Sequence, residues 1–120
     1  MEKHILIIED DKELSELYSL IFDLVHYRTT ICNIAPKLSY INSLEVDLLL
    51  VDIRLMGSRY NGDTLCRLFK SKYPGNSTPF LLLSAEANGD VLAHESGADG
   101  FIHKPFDVDD LLARVAQMMG

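Results

Sequence analysis

The chain has 120 residues, 48% of them hydrophobic and 24% charged, which describes one folded domain and excludes a disordered tail. Its net charge of −7 argues against direct contact with nucleic acid or an anionic membrane and favours cations or basic partners. Cys32 and Cys66 are too few and too far apart for a disulfide framework or a zinc site, and read as buried, reduced thiols of a cytoplasmic protein.

The chain starts Met1-Glu2-Lys3-His4 and enters a strand at once, which leaves no room for a signal peptide. His4 to Ile8 is that strand, an unbroken apolar run ending in Glu9-Asp10-Asp11. Leu14, Leu17, Tyr18, Ile21, Leu24 and Val25 then recur at helical spacing and predict an amphipathic helix with these residues inward. Asp10 or Asp11 suits its N-cap, and Asp10 with Glu13 has the spacing of a capping box. Arg28 to Cys32 predicts a second strand, and Pro36 opens a short helix reaching about Leu44, with Leu38 and Ile41 inward.

Leu48-Leu49-Leu50-Val51 is a second unbroken apolar run, closed by Asp52. Such a run fits a strand covered on both faces. Met56 to Gly62 is loop by composition, and Leu65, Leu68 and Phe69 carry a third helix ended by Pro74-Gly75. Phe80 to Leu83 is a fourth strand ending at Ser84. Asp90 caps a short helix reaching about Ser96, and Gly97 and Gly100 bracket the turn into a fifth strand, Phe101 to His103. Asp107 caps a last helix with Val108, Leu111, Leu112 and Val115 inward. Strand and helix alternate throughout, which predicts an α/β domain with a parallel sheet and helices on both faces.

Parallel strands bring their carboxyl ends to one rim, where ligands gather in such sheets. Here that rim collects Glu9 and Asp10, then Asp52, Ser84 and Lys104. Clustered carboxylates hold a hard cation, and Mg²⁺ is the expected one. Beside Mg²⁺ an ionised Asp52 is a nucleophile able to form an acyl phosphate, with Ser84 and Lys104 holding the phosphoryl oxygens. Each residue alone has a plainer reading as a turn residue, a cap or a solvated charge. Their coincidence at one rim carries the functional one. His4, His26, His94 and His103 show no metal-ligand spacing and read as structural or surface residues.

Ile7-Ile8-Glu9-Asp10-Asp11, Val51-Asp52-Ile53-Arg54-Leu55, Leu83-Ser84-Ala85 and Gly97 to Phe106 resemble, in this order, the receiver domain of response regulators in two-component phosphorelay signalling. The resemblance spans the chain, residues 1–120 as a single receiver domain. It implies a flavodoxin-like, doubly wound five-stranded sheet of order 2-1-3-4-5. Asp52 is then the phosphoacceptor from a sensor histidine kinase or phosphotransfer protein. Mg²⁺ is held by Glu9, Asp10, Asp52 and the main-chain carbonyl of Arg54. Ser84 and Phe101 are the switch positions, and Lys104 contacts the phosphoryl group ahead of a cis Lys104-Pro105 peptide. Such a domain is no enzyme in the usual sense, since it catalyses only its own phosphorylation and dephosphorylation. Its output passes through protein contact on the face of the fourth helix, fifth strand and fifth helix, with a homodimer one form of the phosphorylated state.

The sequence also departs from that family. The loop from Met56 to Gly62 is about two residues longer than usual, and is expected to be more mobile. The interval from Ser84 to Lys104 is about two residues shorter, so the fourth helix is short and marginal. Phe101 stands where Tyr is common, and it lacks a hydroxyl. The second helix is compressed. Arg54 and Glu86 sit where side chains gate the attacking water, which predicts slow self-dephosphorylation. A pseudo-receiver that signals without phosphate is the alternative. An aspartyl-nucleophile phosphatase needs a second Asp where Arg54 stands. An FMN carrier is disfavoured because Glu9-Asp10-Asp11 repel a phosphate at the first strand-to-helix turn.

Overall fold

The computed structural model describes residues 2–120. Five strands run β1 His4–Ile8, β2 Arg28–Cys32, β3 Leu48–Asp52, β4 Phe80–Ser84 and β5 Gly100–His103. All neighbouring strands pair parallel, in the order β2-β1-β3-β4-β5. Five helices connect and flank them: α1 Lys12–Leu24, α2 Leu38–Ser43, α3 Gly62–Lys72, α4 Gly89–Ser96 and α5 Val108–Met119. The flavodoxin-like α/β architecture expected from the sequence is the one observed.

The central strands are apolar throughout because both their faces are covered. Ile5 and Ile7, Leu48 and Leu50, and Leu81 and Leu83 pack against Tyr18 and Phe22 of α1 and Leu111 and Val115 of α5. The alternate residues Leu6, Ile8, Leu49, Val51, Phe80 and Leu82 pack against Ile41, Leu65, Cys66, Phe69 and Ala93 of α2, α3 and α4. Each such side chain contributes about 1.5–3 kcal/mol by leaving water.

Helix α1 is rotated from its expected setting. Tyr18 and Phe22 are buried together with Ser15, whereas Leu17, Leu20 and Leu24 are 50%, 65% and 81% exposed. The helix carries more apolar residues than one face holds. The two large rings claim the sheet side, stacked on Phe106 and tilted against Tyr27. Val25 is the C-cap and is also exposed. His26 follows at φ 64°, the left-handed position where Gly or Asn is commoner.

Other boundaries shift for identifiable reasons. Helix α2 begins after a cap at Lys37, so Pro36 precedes the helix instead of opening it. Asn88, not Asp90, is the N-cap of α4, and its side chain makes no capping hydrogen bond. Asp107 stands at the N-cap of α5, also without such a bond, and Val108 is exposed instead of inward. Cys66 is buried, which pushes its thiol up to about 11, while Cys32 is only half-buried. No helix among the described residues is long and apolar enough to cross a membrane.

The Met56–Gly62 loop is tied at several points. The Met56 amide donates to Asp10 at 3.2 Å, the Leu55 amide to Asn61 Oδ1 at 3.2 Å, and the Gly62 amide to the Ile53 carbonyl at 2.7 Å. Ser58 Oγ accepts from the Ala35 amide at 2.8 Å, pinning the loop to the β2–α2 connection.

Candidate functional site

The parallel register brings the carboxyl ends of β1, β3, β4 and β5 to one rim. Ile8 stands opposite Val51, Asp52 opposite Leu83, and Ser84 opposite His103. Glu9 and Asp10 follow β1, Asp52 ends β3, and Lys104 follows β5.

Carboxylate oxygens of Glu9, Asp10 and Asp52 all lie within 4.8 Å of one another. Lys104 Nζ stands between two of them, 3.1 Å from Glu9 Oε1 and 3.2 Å from Asp52 Oδ1. Four charged groups in one partly buried rim compete for ionisation. Burial, with Asp10 and Asp52 nearby, raises the Glu9 carboxyl to about 7, against the pull of Lys104. Burial also raises Asp52, opposed by Lys104. Asp10 is held below the usual carboxylate range: burial opposes its charge, but hydrogen bonds from Glu9 and from the Met56 amide prevail. Lys104 is held above its ordinary value, because Asp52 and Glu9 outweigh the cost of its burial.

The helix cap explains why Asp10 is free for this rim. Asp11 caps α1, its Oδ1 accepting from the Leu14 amide at 3.1 Å. The two adjacent aspartates thus divide the labour, one closing the helix and one joining the acid cluster. The donor set fits a hard divalent cation, with three carboxylates converging and one of them awkwardly protonated near neutrality.

Ser84 is buried, and its Oγ accepts from the Glu86 amide at 2.8 Å. Its carbonyl accepts from the Lys104 amide at 2.8 Å, which joins β4 to the lysine. The Lys104-Pro105 peptide is cis. Phe101 is half-buried and packs on the α3–α4 side of the core. Arg54 Nε pairs with Glu86 Oε1 at 3.1 Å on the open side of the rim, both side chains substantially exposed.

Further residues serve the site without having been singled out by sequence. Asn33 donates to the Glu9 carbonyl at 2.8 Å and to Ser15 Oγ at 3.1 Å, fixing the turn that presents Glu9. It follows β2 directly, so the shared rim was the available signal. Gly62 lies against the Asp52 backbone; a β-carbon there would stand 2.1 Å from the Asp52 carbonyl oxygen, so only glycine fits. Tyr18 is buried with its hydroxyl unpartnered, and burial, then the charges of Glu9 and Asp52, push its phenol up. An apolar helix position gives no warning of that.

Comparison with known proteins places this architecture. A family model described as the response regulator receiver domain matches residues 5–116. The DNA-binding response regulator MtrA of Mycobacterium tuberculosis is 32% identical over 118 residues, covering 96% of this chain and 50% of that protein. The DNA-binding dual master transcriptional regulator RpaA of Synechocystis is 30% identical over 119 residues, covering 96% of this chain and 48% of that protein. The chain therefore spans about half the length of the curated relatives it matches. Among solved structures, a CheY-like receiver domain protein from Methanospirillum hungatei superposes with a TM-score of 0.85 at 26% identity, over 99% of this chain and 94% of that one. NtrX from Brucella abortus superposes equally well, TM-score 0.85 at 30% identity, over 99% of this chain and 27% of that one. The chain belongs to the response regulator receiver domain family.

Proposed function

We propose that this receiver domain takes a phosphoryl group onto Asp52 from the phosphohistidine of a sensor kinase or phosphotransfer protein. The observation that carries the reading is the convergence of Glu9, Asp10, Asp52 and Lys104 at one rim, with Lys104 Nζ shared between Glu9 and Asp52. In the transfer, an Asp52 carboxylate oxygen bonds to phosphorus as the phosphorus–nitrogen bond of the donor breaks. The electron pair leaves with the imidazole.

Glu9, Asp10 and Asp52 would hold Mg²⁺, with the Arg54 carbonyl as a main-chain ligand. Bound there, the ion supplies charge neutralisation for the incoming phosphoryl oxygens and keeps Asp52 ionised. Lys104 exchanges its contact with Asp52 for a phosphoryl oxygen. Ser84 gives up the Glu86 amide and turns its hydroxyl to another, and Phe101 follows the space that Ser84 vacates. Phosphorylation thereby selects one of two conformations, which a partner reads.

The face for that partner is α4, β5 and α5. It exposes Val91 and Val108 and contains a cleft of about 390 Å³ beside Ile102, His103, Phe106 and Arg114. A homodimer of the phosphorylated form would use the same face. The domain would act in the cytoplasm, residues 1–120 forming one receiver unit, with contact to nucleic acid left to other parts or partners.

The test is incubation with Mg²⁺ and acetyl phosphate, followed by intact mass measurement. A base-labile, acid-stable adduct that is absent from Asp52→Asn is expected. No adduct on the wild type, or an adduct persisting in Asp52→Asn, would remove this reading, and the first of these outcomes would leave the pseudo-receiver alternative standing.

A further inference from the structure

On the side of the molecule where the β2–α2 connection meets the long β3–α3 loop lies a cavity of about 380 Å³. Small-molecule clefts begin at about this size. Its walls include Pro36, Lys37, Leu38, Arg59, Tyr60 and Lys72. Three of its eight lining residues are cations and none is acidic. In the whole chain, by contrast, acids outnumber bases 18 to 11. The other clefts that hold an arginine also hold carboxylates, Glu2 and Asp47 beside Arg28 and Asp110 beside Arg114, while the adjoining cleft that shares Lys72 holds no acid.

Neither Lys37, Arg59 nor Lys72 belongs to an ion pair among the described residues. Arg59 instead lies over the Tyr60 ring, its guanidinium carbon 5.5 Å from the ring centroid. A guanidinium held by a ring face and not by a carboxylate keeps N–H donors for a planar or tetrahedral oxyanion. Pro36, Leu38 and Tyr60 supply an apolar wall beside those donors. The hydrogen bond from the Ala35 amide to Ser58 Oγ holds the two sides of the cavity together.

We propose that this cavity is a binding site for a small organic anion, a phosphate or carboxylate joined to a flat apolar body. The cations select the anionic group, while the Tyr60 and Leu38 wall selects the body. The site shares no lining residue with the phosphoryl-transfer rim and does not depend on its reading. Most of its lining comes from two of the segments read from the sequence as departing from the family pattern, the compressed α2 with its connection and the lengthened loop, and α3 adds Lys72.

The experiment is an amide NMR titration of the Mg²⁺-free protein, in which the acid rim repels anions. Phenyl phosphate, inorganic phosphate and benzyl alcohol are the probes. Phenyl phosphate is expected to give saturable shifts at Lys37, Arg59, Tyr60 and Lys72, with affinity at least about tenfold above inorganic phosphate, and benzyl alcohol no saturable shift. The double variant Arg59→Gln, Lys72→Gln, both exposed positions, should weaken it by about tenfold or more. Absence of saturation, equal affinity for inorganic phosphate, binding undiminished in the double variant, or shifts confined to the Asp52 rim would overturn the proposal.

Discussion

A β-carbon on Gly89 would stand 2.8 Å from Cζ of Phe101 and 2.9 Å from the β-carbon of Ser84. The first turn of α4 therefore meets the Phe101 ring and Ser84 at once, and the ring keeps its place because residue 89 is glycine. Gly89→Ala should drive the ring outward, since a ring can rotate and a serine β-carbon cannot. The gain in helix propensity is about 1 kcal/mol and the overpacking cost about 1–3 kcal/mol, so a net loss of about 1 kcal/mol is expected. The check is the nuclear Overhauser contact between Phe101 and Ser84, with urea unfolding alongside. A retained contact at unchanged stability would contradict this.

Glu9 makes stability depend on pH in a definite direction. Its folded carboxyl is raised from 4.5 to about 7, so the folded state binds its proton more tightly than the unfolded chain does. That contribution is complete below about pH 4.5 and is lost as pH rises through 7. Without Mg²⁺ the domain should be more stable at pH 5 than at pH 8, by on the order of 2 kcal/mol, and Glu9→Gln should flatten the difference. Mg²⁺ should bind more tightly as pH rises through the same window, with proton release measurable by calorimetry in two buffers.

Lys104→Met removes the cation shared by Glu9 and Asp52. At pH 8 Asp52 then loses its counter-charge and Glu9, no longer opposed by the ammonium, is pushed toward its protonated form, at a cost of about 2 kcal/mol. At pH 5 a protonated Glu9 makes the loss much smaller. Urea midpoints of the variant at the two pH values measure it, and an equal loss at both would show that the ammonium is not what holds the cluster.

The Arg54–Glu86 pair at 3.1 Å is exposed, so its contribution to stability is below about 1 kcal/mol. Its expected effect is on the lifetime of the acyl phosphate, where the guanidinium screens the path of water. Arg54→Ala should leave the unfolding midpoint in place and speed dephosphorylation severalfold. Decay of the mass adduct gives the rate, and an unchanged rate removes the screening role.

The rotated setting of α1 separates two kinds of leucine and aromatic substitution. Phe22→Ala should cost about 3–5 kcal/mol, and Leu20→Glu less than about 0.5 kcal/mol. Thermal unfolding distinguishes them. A large loss from Leu20→Glu would mean that the outer stripe is covered.

The strands were legible because burial on both faces leaves an unbroken apolar run, and because each run stops at a polar rim residue. His4–Ile8 and Leu48–Asp52 show this directly. The rotation of α1 was not legible, because Leu17, Leu20 and Leu24 repeat as regularly as Tyr18 and Phe22 do; only ring volume against the sheet decides between them. The division between Asp10 and Asp11 was hidden for a similar reason. Adjacent carboxylates have the same propensity to cap, and the backbone extension at Asp11, φ −79° and ψ 111°, settles which one does. Asn33 and the unpartnered Tyr18 hydroxyl depend on distances between segments, which periodicity does not encode.

The hydrogen bond from the Met56 amide to Asp10 gives the acid rim an outlet at the surface. Whatever changes the charge on Asp10 changes the anchor of the residue that bears a two-thirds-exposed thioether, 68% by relative area. Of the four methionines in the chain, Met118 and Met119 belong to α5 and Met56 alone stands in this loop. A carbon-13 label on the methionine methyl groups would thus turn one side chain into a built-in spectroscopic gauge of the rim, with no foreign tag near Asp52.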